Sequence, residues 1–132
     1  VGNRLIDEVY EITDQRIANA GKLDQGLSEL GEYVVIPPRQ PNVKQVYHTY
    51  VIQVSDRDAL FDHLIKAGVD AKIHYPVPLH LQPASKDLGY KKGDFPLCEE
   101  HCQTIISLPA HQHLTQDEID YMIESVRNFY LG

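Results

Sequence analysis

One stretch of this sequence combines side chains that bind ligands with a backbone that holds them still. Ile73-His74-Tyr75-Pro76-Val77-Pro78-Leu79-His80-Leu81-Gln82 carries two histidines and a tyrosine around two prolines. Proline fixes its own φ and drives the residue before it toward extended geometry. Tyr75 and Val77 are therefore expected to be extended, with His74 the last residue of a strand before a stiff bend. Imidazole and phenol groups on such a post suit ligand contact, because little conformational entropy remains to be lost on binding. An ordinary proline-rich connection with incidental histidines is the competing reading.

A second set is Cys98, His101 and Cys102, spaced i, i+3 and i+4 and so on one helix face. With His111 and His113 downstream they have the composition of a soft metal site. Structural zinc sites, however, pair two close-spaced ligand couples, and no second couple stands at the usual distance. Core packing, in which a buried cysteine acts as a small apolar residue, is the preferred reading. Pro109-Ala110-His111-Gln112-His113 reads as a loop. Of seven lysines, only Lys72, in a predicted strand, has a setting that could depress an amine pKa. No glycine-rich phosphate loop, nucleophile elbow or prominent carboxylate pair occurs. The residues are not those of a complete enzyme.

The elements that must position these groups follow from periodicity. Leu5, Val9, Ile12, Ile17, Ala20, Leu23, Leu27 and Leu30 make a near-helical stripe, predicting a helix over about 3–30 despite Gly21 and Gly26. A helix of that length in a small domain suggests a connecting strut. Pro37, Pro38 and Pro41 mark a loop. His48 to Val54 is a strand, and a helix containing Leu60, Phe61, Leu64 and Ile65 follows, capped by Ser55 or Asp56 and ended by Gly68. Val69 to His74 is the next strand, Leu79 to Leu88 a short helix, and Pro96 opens a helix over about 95–104. Ile105 to Leu108 is a buried strand, and Thr115-Gln116-Asp117-Glu118 is a capping box ahead of a last amphipathic helix. The expected architecture is α+β: a small three-stranded sheet, antiparallel or mixed, with helices packed on one face and a long helix before it. Residues 1–32 would form the connecting helix and residues 33–132 the small domain.

With 132 residues, 42% hydrophobic and 23% charged, the chain is one ordinary globular domain. A net charge of −7 argues against nucleic acid. No apolar run is long enough to span a membrane, and two cysteines do not make a disulfide framework, so a cytoplasmic protein is expected. The first residue is not Met, and the sequence opens inside the predicted helix, which suggests a piece of something larger.

Six segments taken together are more specific than any alone. They are Val46 to Ile52, Asp56 to Leu60, His74 to Gln82, Leu88 to Pro96, Ile106 to Pro109 and Leu114 to Ile119. In this order and spacing, from about Asp14 to Phe129, the chain resembles the C-terminal domain of DegT/StrS-type aminotransferases, fold-type I pyridoxal-phosphate enzymes acting on nucleotide-linked keto-sugars. The resemblance implies an upstream large domain that carries the Schiff-base lysine and most of the pyridoxal 5'-phosphate site. It also implies a homodimer with active sites shared between subunits, and an amino-acid donor, usually glutamate. No catalytic or cofactor-binding residue carries over to this chain. Gly2-Asn3-Arg4-Leu5 mimics an Asn-Arg motif of the family, but its register places it beyond that motif. What carries over is His74 and Tyr75 as substrate-binding residues; His80 and Gln82 are read as lining the same mouth, with a structural role capping the following short helix as the alternative. Two rivals remain: a cofactor-free ligand-binding or regulatory α+β module, and a metal scaffold on Cys98, His101 and Cys102.

Overall fold

A computed structural model describes Gly2 and residues 6–132. Val1 and the Asn3-Arg4-Leu5 part of the motif-like segment lie outside the described residues. Helix α1 runs Val9–Leu27, flanked by 3-10 turns at Ile6–Glu8 and Ser28–Leu30. Strands β1 (Val34–Val35) and β2 (Tyr50–Val54) precede helix α2 (Arg57–Lys66). Two 3-10 segments, Leu79–Leu81 and Pro83–Leu88, lead to helix α3 (Pro96–Thr104), strand β3 (Ile105–Leu108) and helix α4 (Gln116–Leu131).

The sheet is three-stranded and antiparallel, ordered β1-β2-β3. Its register pairs Tyr50 with Leu108 and Ile52 with Ile106, and side chains alternate across a strand, so these four share a face with Val34 and Val54. That face is buried under Ala20, Leu23 and Leu27 of α1, Leu60 and Leu64 of α2, and Ile119, Met122 and Val126 of α4. Full burial of one such aliphatic side chain contributes roughly 1.5–3 kcal/mol, which makes this layer the main source of stability. The α+β reading with helices on one face holds. The second half of α1, however, is part of this core and does not stand apart as a strut. Only its start is open, with Tyr10 74% exposed.

Two strand expectations are corrected. Val69 to His74 is not a full strand. Gly68 adopts φ +82° and ends α2 with its N–H on Ile65 O and that of Val69 on Leu64 O, the glycine stop foreseen from sequence. The N–H of Ala71 then turns back onto Val69 O, so these donors serve local turns and not a ladder. Only Lys72 exchanges hydrogen bonds, at 3.0 and 2.8 Å, with Ser107. The third strand comes instead from Val34–Val35, too short for alternation to reveal.

Local end signals elsewhere behave as read. Thr115 Oγ1 accepts the N–H of Glu118 at 3.2 Å while the Glu118 carboxylate accepts that of Thr115 at 2.8 Å. Pro96 begins α3. Asp56 does precede α2, in left-handed geometry, but its side chain makes no capping bond. Arg57, buried, instead donates to Cys102 O and Ile105 O and fastens α2 to the α3–β3 junction.

Candidate functional site

Residues 74–80 form an arch with two fixed feet. At the first, His74 Nδ1 lies 2.9 Å from Ser107 Oγ, in the middle of β3. Lys72, His74 and Ser107 fall on the sheet face away from the core, because Lys72 is the cross-strand partner of Ser107 and His74 follows two residues on. At the second foot His80, 9% exposed, donates from Nε2 to Glu99 Oε1 at 3.1 Å and packs against the edge of Phe95. The same carboxylate oxygen accepts the N–H of Gly93 at 2.7 Å and of Phe95 at 3.4 Å. These bonds, that from Gly93 first, hold the Glu99 carboxyl below its ordinary pKa. A negative charge in the first turn of α3 also suits the positive end of that helix.

Between the feet the crest is bare. Tyr75 is 68% exposed, and Val77 and Leu79 are exposed beside it. Tyr75 is not extended as expected: its φ is +56°, in the left-handed region. The feet sit on separate elements, and the chain must turn sharply between them. A non-glycine residue stays in such a conformation only where the surroundings fix it. The turn aims the phenol outward, away from the core.

His74 also lines a cleft of about 200 Å³ on the outer sheet face, together with Arg16, His48, Lys72 and His111. Helix α1 sets two of its walls. Arg16 Nη1 donates to Tyr47 O at 3.0 Å and His48 O at 3.4 Å, and the fully buried Asn19 donates from Nδ2 to His111 O at 2.9 Å. His80 does not line this cleft; it is turned inward at the other foot. Sequence reasoning thus placed His74 and Tyr75 on an open surface but missed Ser107, Arg16, His48 and His111 around His74 and Glu99 as the partner of His80. A larger hollow of about 470 Å³ lies under the loop at 38–47, where Arg39 pairs with Asp24 and Lys44 with Asp14.

Neither the metal nor the cofactor reading gains a built site. No group of three His, Cys, Asp or Glu among the described residues is arranged to hold a metal ion. Cys98 is exposed, while Cys102 is buried, which raises its thiol pKa. Lys72 is exposed and ion-paired with Asp70, not desolvated, and none of the other lysines is buried. No lysine among the described residues thus has the desolvated setting that lowers an amine pKa. No helix among the described residues is long and apolar enough to cross a membrane.

The DegT/DnrJ/EryC1/StrS aminotransferase family matches residues 1–127. A pleiotropic regulatory protein of Geobacillus stearothermophilus is 35% identical over 119 residues, covering 89% of this chain and 32% of that protein. The dTDP-3-amino-3,4,6-trideoxy-alpha-D-glucose transaminase of Streptomyces venezuelae is 32% identical over 115 residues, 87% of this chain and 30% of the enzyme. Among solved structures, S. venezuelae DesV superposes with a TM-score of 0.87 at 30% identity, over 92% of this chain and 33% of that one. The chain thus spans about a third of the length of the proteins it matches. The match runs through the arch, the sheet and all four helices, and the chain belongs to the DegT/DnrJ/EryC1/StrS aminotransferase family.

Proposed function

We propose that this chain is the C-terminal domain of a pyridoxal-phosphate-dependent sugar aminotransferase, and that its arch holds the sugar. In that enzyme an amino group passes from an amino-acid donor, glutamate in the family resemblance, to a nucleotide-linked keto-sugar destined for polysaccharide or lipopolysaccharide. Residues 1–32 connect to a large domain that supplies the Schiff-base lysine, and residues 33–132 form the small domain. The protein works in the cytoplasm as a homodimer in which the arch of one subunit reaches the active site of the other. Pyridoxal phosphate, when bound by the large domain, supplies the electron sink for amino transfer.

The observation that carries this reading is the bare crest between two fixed feet. His74 Nε2 and the Tyr75 hydroxyl have no partner among the described residues, while Nδ1 of His74 is anchored at 2.9 Å to Ser107. An imidazole so anchored presents its other nitrogen in a fixed direction. A phenol beside it can donate to or accept from a sugar hydroxyl. Such contacts orient the sugar and select it, and bond-making is left to the large domain. His80 acts one step back, through Glu99, by holding the second foot.

Because no lysine here is desolvated, the 132-residue chain mixed with pyridoxal phosphate should neither transaminate nor keep visible absorption after dialysis. The whole enzyme should do both. Stoichiometric colour in the chain alone, lost on replacing a single lysine, would contradict the assignment of the cofactor to the large domain.

A further inference from the structure

The cleft beside His74 gathers hydrogen-bond donors in an acidic protein. Arg16, Lys72, His48, His74 and His111 line it, and the one acidic lining residue is Asp70, already ion-paired with Lys72. Three of the seven histidines therefore meet in a cleft of about 200 Å³, in a chain of net charge −7. Arg16 has no carboxylate partner among the described residues and spends one nitrogen, Nη1, on two carbonyls. Glu118 lies near His111, but its carboxylate is committed to the N–H and hydroxyl of Thr115. The imidazoles are not arranged to share a metal ion. They surround the cleft as donors around an acceptor.

We propose that this cleft is an oxyanion site, taking a carboxylate or phosphate group. The fork of a guanidinium suits either group, and Lys72 and imidazole donors complete the set without exact geometry. The walls are set in advance. Arg16 fixes the backbone at 47–48, Asn19 fixes His111, and Ser107 fixes His74. Little reorganisation is needed on binding, which favours affinity for a small ion. This deepens the sugar-binding reading and rests on it only for the molecule that brings the anion: the acidic group of a uronic sugar or the phosphate of a nucleotide-linked one.

The test follows the histidine ring resonances of the 132-residue chain by NMR at low ionic strength, during separate titrations with sodium pyrophosphate and sodium glucuronate. Sodium chloride at matched ionic strength is the control. The rings of His48, His74 and His111 should shift together and saturate with one dissociation constant, while His63 and His101, outside the cleft, stay in place. Saturation by pyrophosphate alone assigns the site to phosphate, by glucuronate alone to carboxylate, and by both to either group. Arg16→Gln should weaken binding about fivefold or more. Because Arg16 also holds a wall, Lys72→Gln is the second variant: it should weaken binding with an unchanged melting temperature. Absence of saturation with both probes, or equal shifts in all seven rings, would overturn the proposal. Binding by the chain with no sugar turnover in the whole enzyme would leave the oxyanion site standing and sink the sugar reading.

Discussion

His80 and Glu99 join two segments through a 3.1 Å bond from Nε2 to an oxygen that also takes the N–H groups of Gly93 and Phe95. One carboxylate thereby secures the arch, the 89–95 turn and the start of α3. Glu99→Gln keeps the shape and removes the charge, so all three bonds weaken. A melting temperature lower by ~3–5 °C at neutral pH is expected. The Glu99 pKa is lowered by folding, so its stabilisation is complete above the unfolded value near 4.5 and is lost as pH falls through the lower folded value. The gap between wild type and variant should therefore close in acid. Melting curves from pH 7 to pH 3 check this, and a gap that stays constant to pH 3 would contradict it.

Two glycines of α1 should respond oppositely to alanine. A Cβ at Gly21 meets nothing within 4 Å, whereas one at Gly26 runs into Cδ1 of Ile123 on α4 and comes within 2.9 Å of Cγ1 and Cγ2. Gly21→Ala should stabilise by about 0.5–1 kcal/mol, through helix propensity alone. Gly26→Ala should destabilise by about 1–3 kcal/mol, because the α1–α4 contact must open. Urea denaturation of both variants reads the sign directly.

Tyr50 is fully buried, and its hydroxyl donates at 2.8 Å to the Asp24 carboxylate that also binds Arg39. Burial first, then the Asp24 bond, raises the phenol pKa, so it is a donor at neutral pH. Tyr50→Phe keeps the packing and removes a hydrogen bond to a charged acceptor, at an expected cost of about 1.5–3 kcal/mol. Arg39, whose guanidinium stacks 5.6 Å from the Tyr50 ring, should stay in place. Denaturant titration checks the cost, and a loss below about 0.5 kcal/mol would mean that Asp24 is satisfied without Tyr50.

Signals confined to a few neighbouring residues were legible in the sequence. The apolar stripe of α1 from Ile17 to Leu30, the stop at Gly68, the start at Pro96 and the Thr115–Glu118 box each depend on local geometry, and each stands as read, whereas Val9 at the start of the stripe is exposed. What escaped depends on partners distant in sequence. Val34–Val35 is a strand only because Val54 and Gln53 pair with it. Val69 to His74 has strand composition, but its donors are taken by the turn after α2. Proline at position 76 predicts an extended Tyr75, and the two feet of the arch override that preference. Glu99 carried a faint sign, an acidic residue in the first turn after Pro96, but nothing local linked it to His80. The cleft could not be read at all, since His48, His74 and His111 come together only through the sheet.

The central claim is that His74 and Tyr75 touch the sugar, Tyr75 with no part in holding the fold and His74 from its anchor on Ser107. The deciding measurement is the pair of half-reactions of the whole enzyme, amino-donor and keto-sugar, for His74→Ala and Tyr75→Phe, taken with each variant's melting temperature. Tyr75 is exposed and makes no hydrogen bond within the described residues, so Tyr75→Phe should melt as wild type does. Losing one hydrogen bond to the sugar should cost about 1–3 kcal/mol, or roughly 5- to 150-fold in kcat/KM for the keto-sugar, with the donor half-reaction nearly intact. Equal damage to both half-reactions, together with a clear fall in melting temperature, would contradict the account and return the arch to a purely structural role.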